Sequence, residues 1–134
     1  MKRTLALALV AATLAGPALA EGSAADGEKV FKKCQSCHMV GPDAKAKVGP
    51  ILNNVMGATA GTNADFGSKY SGDLVAAGEG GLVWNEETMT TFLAKPKDLI
   101  KKTKMSFAGL KKPEEIENVI AYIKTFSPDY KPAE

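Results

Sequence analysis

Apolar residues recur at helical spacing in three stretches of the chain and lose any period between them. The clearest run is Ile116, Val119, Ile120 and Ile123, at i, i+3, i+4 and i+7, behind Pro113 and the acids Glu114 and Glu115. It predicts an amphipathic helix that opens on Pro113 and stops before Ser127-Pro128. In the middle of the chain Met89, Phe92 and Leu93 share one helical face, and Asn85-Glu86-Glu87 has the form of an N-cap followed by first-turn acids, so a second helix should run to about Pro96. Earlier, Ser23 and Asp26 have capping-box spacing, and Val30 and Phe31 supply the apolar face of a helix running toward Cys34. Residues 39 to 83 are rich in Gly, Pro, Asn and Ala without a sustained period. Loops and short turns with little regular structure are expected there. No useful strand alternation or repeat is present, so the fold class is all-α with long loops.

The first twenty residues follow a different pattern. Lys2 and Arg3 precede the apolar run Thr4 to Ala15, then Gly16-Pro17 and Ala18-Leu19-Ala20, which together read as a secretory signal peptide with an A-x-A cleavage site. The run is shorter than the roughly 20 residues a spanning helix needs, and charged residues interrupt every later apolar segment. The expected organisation is a signal peptide over 1–20 and a single domain over 21–134 with a flexible tail from about 127. The expected location is the periplasm, without stable membrane insertion.

Composition adds little beyond one small globular unit: 45% of residues are hydrophobic and 24% charged. Without Lys2 and Arg3 the 17 basic residues fall level with the 15 acidic ones, so net charge points to no class of partner, and no nucleic acid is expected. Charge distribution says more. Lys95, Lys97, Lys101, Lys102, Lys104, Lys111 and Lys112 crowd into one segment whose only acid is Asp98, which predicts a strong asymmetry.

The chemistry lies in Cys34-Gln35-Ser36-Cys37-His38. An exported CxxC pair should oxidise to a disulfide unless something else consumes the thiols, and C-x-x-C-H is the sequence sign of c-type haem attachment. On a helical backbone the two cysteines share a face and can form thioether bonds to the vinyl groups on one porphyrin edge. His38 can then place an imidazole nitrogen on the iron. Other uses of the motif fit less well. A dithiol oxidoreductase carries its CxxC at a helix N-terminus, whereas this one follows a helix. A structural zinc site needs four ligands, and two cysteines and one histidine do not supply them. A disulfide between positions three apart closes a small loop, stabilises little and leaves His38 unexplained.

His38 is the only histidine, so a second axial ligand must be a methionine or another side chain, or the site is open. Met39 is too near His38 to cross to the other haem face, and Met56 and Met89 sit in apolar settings where core filling is the default. Met105 lies between two helices in the lysine-rich segment Lys101 to Gly109, on a loop able to fold over the ring.

Taken together, the chain resembles the class I cytochromes c, in particular the small soluble bacterial carriers related to mitochondrial cytochrome c. The resemblance is carried by Gly27-Glu28-Lys29-Val30-Phe31, Cys34 to His38, Gly49-Pro50, Tyr70, Trp84, Pro96-Lys97, Thr103 to Gly109 and Ile120-Ala121-Tyr122, and it spans essentially all of the chain beyond residue 20. It implies the cytochrome c fold, with N- and C-terminal helices packed across each other, a middle helix and haem-wrapping loops. Gly27 and Phe31 would pack near Val119 and Tyr122, Pro50 would offer its carbonyl to the other ring nitrogen of His38, and Tyr70 and Trp84 would direct donors at a haem propionate. One departure is Ala58, where many relatives carry an arginine that helps to hold the inner propionate. No arginine occurs after Arg3.

With one haem c bound through Cys34 and Cys37 and its iron held by His38 and Met105, no coordination position is left for a substrate. The expected function is one-electron transfer, without catalytic residues, by a monomer. Lys32, Lys33, Lys95, Lys97, Lys102, Lys104 and Lys112 would surround the haem edge and meet acidic surfaces of redox proteins such as a cytochrome bc complex, an oxidase or a reaction centre. Two other readings keep the haem: an enzyme or gas sensor with a labile Met105, and a dedicated subunit of one dehydrogenase or oxidase.

Overall fold

The computed structural model describes residues 21–133, and the expected signal peptide lies outside them. The described residues form five helices: α1 Ala24–Phe31, α2 Gly72–Glu79, α3 Glu86–Ala94, α4 Pro96–Leu99 and α5 Pro113–Lys124, with a 3-10 turn at Gly67–Lys69 before α2. The described residues hold no strand, only an antiparallel bridge between Thr59 and Val83.

The local signals explain most helix ends. The Ser23 hydroxyl accepts from the N–H of Asp26 at 3.2 Å, and Asp26 turns its carboxylate to Lys29 instead of closing the box. At α3 the box closes with Thr88: the Asn85 side chain accepts from Thr88 N and the Thr88 hydroxyl from Asn85 N, both at 2.9 Å. Pro113 opens α5, where its missing N–H removes no intrahelical bond. The middle helix stops at Ala94, and Pro96 begins the separate short helix α4.

Helices α1 and α5 cross at Gly27, where a methyl would run into the carbonyl of Asn118 and the Cβ of Tyr122. The absent side chain lets the backbones approach. Phe31 then packs on Tyr122 with ring centroids 5.3 Å apart, and Ser23 N donates to the Asn118 side chain at 2.7 Å. Phe31, Val119, Ile100, Ile116, Ile120 and Ile123 are nearly solvent-free and join Leu93 and Phe92 of α3 in one core. This core is the rigid frame that the loops wrap.

Two expectations need correction. The stretch 39–83 was expected to hold little regular structure, yet it contains α2. Ser71 caps that helix by accepting from Leu74 N at 3.2 Å, with Asp73 in its first turn. Gly72 and Gly78 mask the helix in the sequence because glycine weakens helix propensity; Gly78 is there because a side chain would strike the carbonyl of Ala60. The tail from about 127 is not free at its start. Ser127 is buried, and the Tyr130 hydroxyl is bonded to Glu86. Residues 131–133 are exposed.

Candidate functional site

The loops and core enclose a cavity of about 820 Å³, within the roughly 300–1,000 Å³ of small-molecule and cofactor sites. Its walls are largely apolar, with Leu52, Val55, Leu74, Phe92, Leu93, Val119 and Ile123 among the lining residues. Cys34, Cys37, His38 and Met105 line this same cavity. Segments far apart in the chain thus bring two thiols, an imidazole and a thioether to one apolar space.

The cysteine motif lies just past the end of α1 and not on the helix itself. Cys34 N donates to Phe31 O at 2.8 Å, Cys37 N to Cys34 O at 3.1 Å and His38 N to Cys34 O at 2.9 Å, so Cys34 to His38 form one helical turn. Both thiols are free and half-buried. Burial raises the pKa of Cys34, against a smaller opposing effect of Lys33.

His38 is 9% exposed, and its Nδ1–H donates to the carbonyl of Pro50 at 2.7 Å. That bond fixes the tautomer and leaves Nε2 with a free lone pair. Burial lowers the imidazole pKa and outweighs the opposing effect of the Pro50 carbonyl, so the ring is held neutral, the form that ligates a metal. Gly49 closes over the ring: a side chain there would overlap the imidazole.

Met105 is half-buried, and its N–H donates to the Thr103 hydroxyl at 3.1 Å. Its loop is tied down at several points. Lys102 N donates to the Asp73 carboxylate at 3.1 Å, the Lys104 ammonium donates to the carbonyls of Lys69 and Tyr70 at 3.1 Å each, and Leu110 N donates to Leu93 O at 2.8 Å. Met89 also lines the cavity, but from within α3, where it is 5% exposed and part of the core. Met56 is core and lines no part of the cavity. Tyr70, Trp84 and Ala58 all lie on the lining.

The fit to haem rests on this donor set. Paired thiols one helical turn apart, an adjacent neutral imidazole oriented by a backbone carbonyl and a soft thioether match the groups that attach a porphyrin and ligate its iron. Among the described residues no group of three or more Cys, His, Asp and Glu side chains is placed to hold a metal ion by itself.

Of the lysines expected around the haem edge, Lys33 and Lys104 line the cavity. Lys33 is paired with Glu115 at 2.9 Å and Lys95 with Asp98 at 3.3 Å, while Lys104 is engaged with the two carbonyls. Lys47 and Lys69 also line the cavity, and sequence reasoning missed both. Their closeness in sequence to Gly49-Pro50 and Tyr70 was the available signal. No described helix is long and apolar enough to cross a membrane.

Comparison with known proteins places the chain in a family. Residues 24–127 match the family model described as Cytochrome c. The chain is 49% identical to cytochrome c2 of Afifella marina, over 81% of this chain and 86% of that protein. It is 47% identical to cytochrome c2 of Agrobacterium tumefaciens (strain II Chrys), over 85% and 100%. The solved structure of cytochrome c2 from Rhodospirillum centenum superposes with a TM-score of 0.73 at 43% identity, covering 80% of this chain and all of that one.

Proposed function

Because the chain belongs to the cytochrome c family, whose members carry covalently attached haem c, we propose that it is a periplasmic one-electron shuttle whose site is Cys34, Cys37, His38 and Met105. The observation that carries this reading is the convergence of those four side chains on one apolar cavity. Cys34 and Cys37 would hold the haem through thioether bonds, and His38 and Met105 would ligate its iron. When bound, the haem supplies an iron centre that exchanges one electron without binding substrate.

The remaining work belongs to the polypeptide. The Pro50 carbonyl keeps the His38 Nε2 lone pair available, and Gly49 prevents the ring from being pushed aside. The ties at Asp73, Lys104 and Leu110 hold the Met105 loop on the cavity. Thioether ligation and apolar walls both favour the ferrous state, the first because sulfur is soft and the second because a buried site disfavours extra charge. The carrier thus takes electrons from a quinol-oxidising cytochrome bc complex and delivers them to a more oxidising oxidase, reaction centre or reductase. Lys47 and Lys69, with Lys33 and Lys104, face acidic surfaces of those partners, and no group on the chain acts as a catalyst.

The test is the weak sulfur-to-iron charge-transfer band of the oxidised protein. Met105→Ala abolishes it and Met89→Leu retains it. A wild type without the band, or one whose reduced form binds carbon monoxide rapidly, overturns Met105 ligation.

A further inference from the structure

A second cleft of about 670 Å³ adjoins the cavity, and Asn54 and Ala58 line both. At Ala58 the partition carries only a methyl group. Ser127, Asp129, Tyr130 and Lys131 bound the second cleft, and no described residue after Ile123 lines the cavity, so the segment after α5 meets the shared Asn54–Ala58 stretch from the second cleft.

That segment is stitched to the wall. Asn54 N donates to Phe126 O at 2.9 Å, and Met56 N donates to the Ser127 hydroxyl at 3.2 Å. The Tyr130 ring lies against Gly57, whose φ of 83° and lack of a side chain admit it; a Cβ there would stand 3.1 Å from Tyr130 Cδ2. The Tyr130 hydroxyl donates to the Glu86 carboxylate, which also pairs with Lys124 at 2.8 Å. Two residues before Glu86, Trp84 is bonded to the same wall: Gly57 N donates to Trp84 O at 2.6 Å and Trp84 N to Ala58 O at 2.9 Å. The contacts close a circuit from Tyr130 through Gly57, Trp84 and Glu86 back to Tyr130.

We propose that Tyr130 is a positioning residue for electron transfer: through Gly57 and Glu86 it holds Ala58 and Trp84 against the cavity and keeps water from entering on that side. The inference rests on the reading that this cavity holds the haem. Water admitted at Ala58 would solvate the more highly charged ferric state, so releasing the strap lowers the reduction potential. It also frees the N–H groups of Met56 and Gly57, because local opening is governed by the contacts that oppose it.

Haem-loaded Tyr130→Ala and Tyr130→Phe are compared with wild type by redox titration and by amide hydrogen exchange. Ser23→Ala serves as a control that weakens α1 and touches no member of the circuit. In Tyr130→Ala the potential falls, and exchange at Met56 and Gly57 quickens by about tenfold or more. Tyr130→Phe keeps the ring over Gly57, loses the Glu86 bond and falls between. If Tyr130→Ala does not accumulate, Ser127→Ala, which frees Met56 N–H, carries the same expectation. Unchanged potential and exchange overturn the proposal, as does an equal fall in potential in Ser23→Ala. A wild type lacking the sulfur-to-iron band overturns Met105 ligation instead, and the exchange result still decides the role of Tyr130.

Discussion

The Nδ1 atom of His38 and the carbonyl oxygen of Pro50 stand 2.7 Å apart, with Gly49 between them in sequence and pressed onto the imidazole. A backbone carbonyl cannot change its protonation, so this partner fixes the tautomer at any working pH. Position 49 is glycine because the ring occupies the space a side chain would take.

Gly49→Ala should therefore displace the imidazole. The expected loss is about 1–3 kcal/mol, the usual cost of overpacking a filled site, together with a lower ratio of haem absorbance to protein. Guanidinium unfolding of the purified holoprotein and its absorbance ratio measure the two effects.

Gly27→Ala probes the crossing of α1 and α5. The obstructing atoms include the Asn118 carbonyl, which is backbone, so the helices must separate to admit the methyl. A loss of about 1–3 kcal/mol is expected, against less than about 0.5 kcal/mol for Glu28→Ala on the exposed face of the same helix. Equal midpoints for the two variants would show that the crossing tolerates a side chain.

Charge reversal at Lys47 or Lys69 should slow electron transfer with anionic hexacyanoferrate and speed it with a cationic cobalt complex. The effects should be several-fold at low ionic strength and shrink near 0.15 M salt, where the screening length is about 8 Å. Stopped-flow rates over a salt series test this. Rates moving in the same direction for both reagents would mean that the substitutions disturb the site and not its field.

The Tyr130–Glu86 pair gives a pH signature. Burial pulls the Glu86 pKa up, but bonds from Lys124 and Tyr130 outweigh it and hold the carboxyl below its usual range. Tyr130 is pushed up to about 12, first by burial and then by its bond to Glu86. A depressed carboxyl pKa stabilises the fold above the unfolded pKa, and that contribution is lost as pH falls through the folded one. A raised phenol pKa stabilises below the unfolded value of about 10, and that contribution is lost as pH rises toward the folded one. Tyr130→Phe should thus cost about 0.5–1 kcal/mol near pH 7, the range for a partly exposed bond. The gap to wild type should narrow in acid and above about pH 10. Thermal melts across that range would reveal a constant gap if the bond contributes nothing.

The sequence by itself determined the attachment chemistry and the helical frame. Cys34, Cys37 and His38 are neighbours in the chain, so their joint chemistry needs only one turn of backbone, and the Ile116 to Ile123 periodicity and the caps at Ser23 and Asn85 are local signals. Helix α2 was hidden because Gly78 answers to the Ala60 carbonyl, a contact between residues 18 positions apart that overrides propensity. Only the tertiary structure decided which lysines line the cavity and which are engaged by Glu115, Asp98 or the carbonyls of Lys69 and Tyr70, since both are spatial facts. It also decided that residues 126–130 are tied to the segment around Met56 and to Glu86. The bonds from Tyr130 to Glu86 and from Met56 to Ser127 join segments 44 and 71 residues apart, and no periodicity along the chain records contacts of that reach.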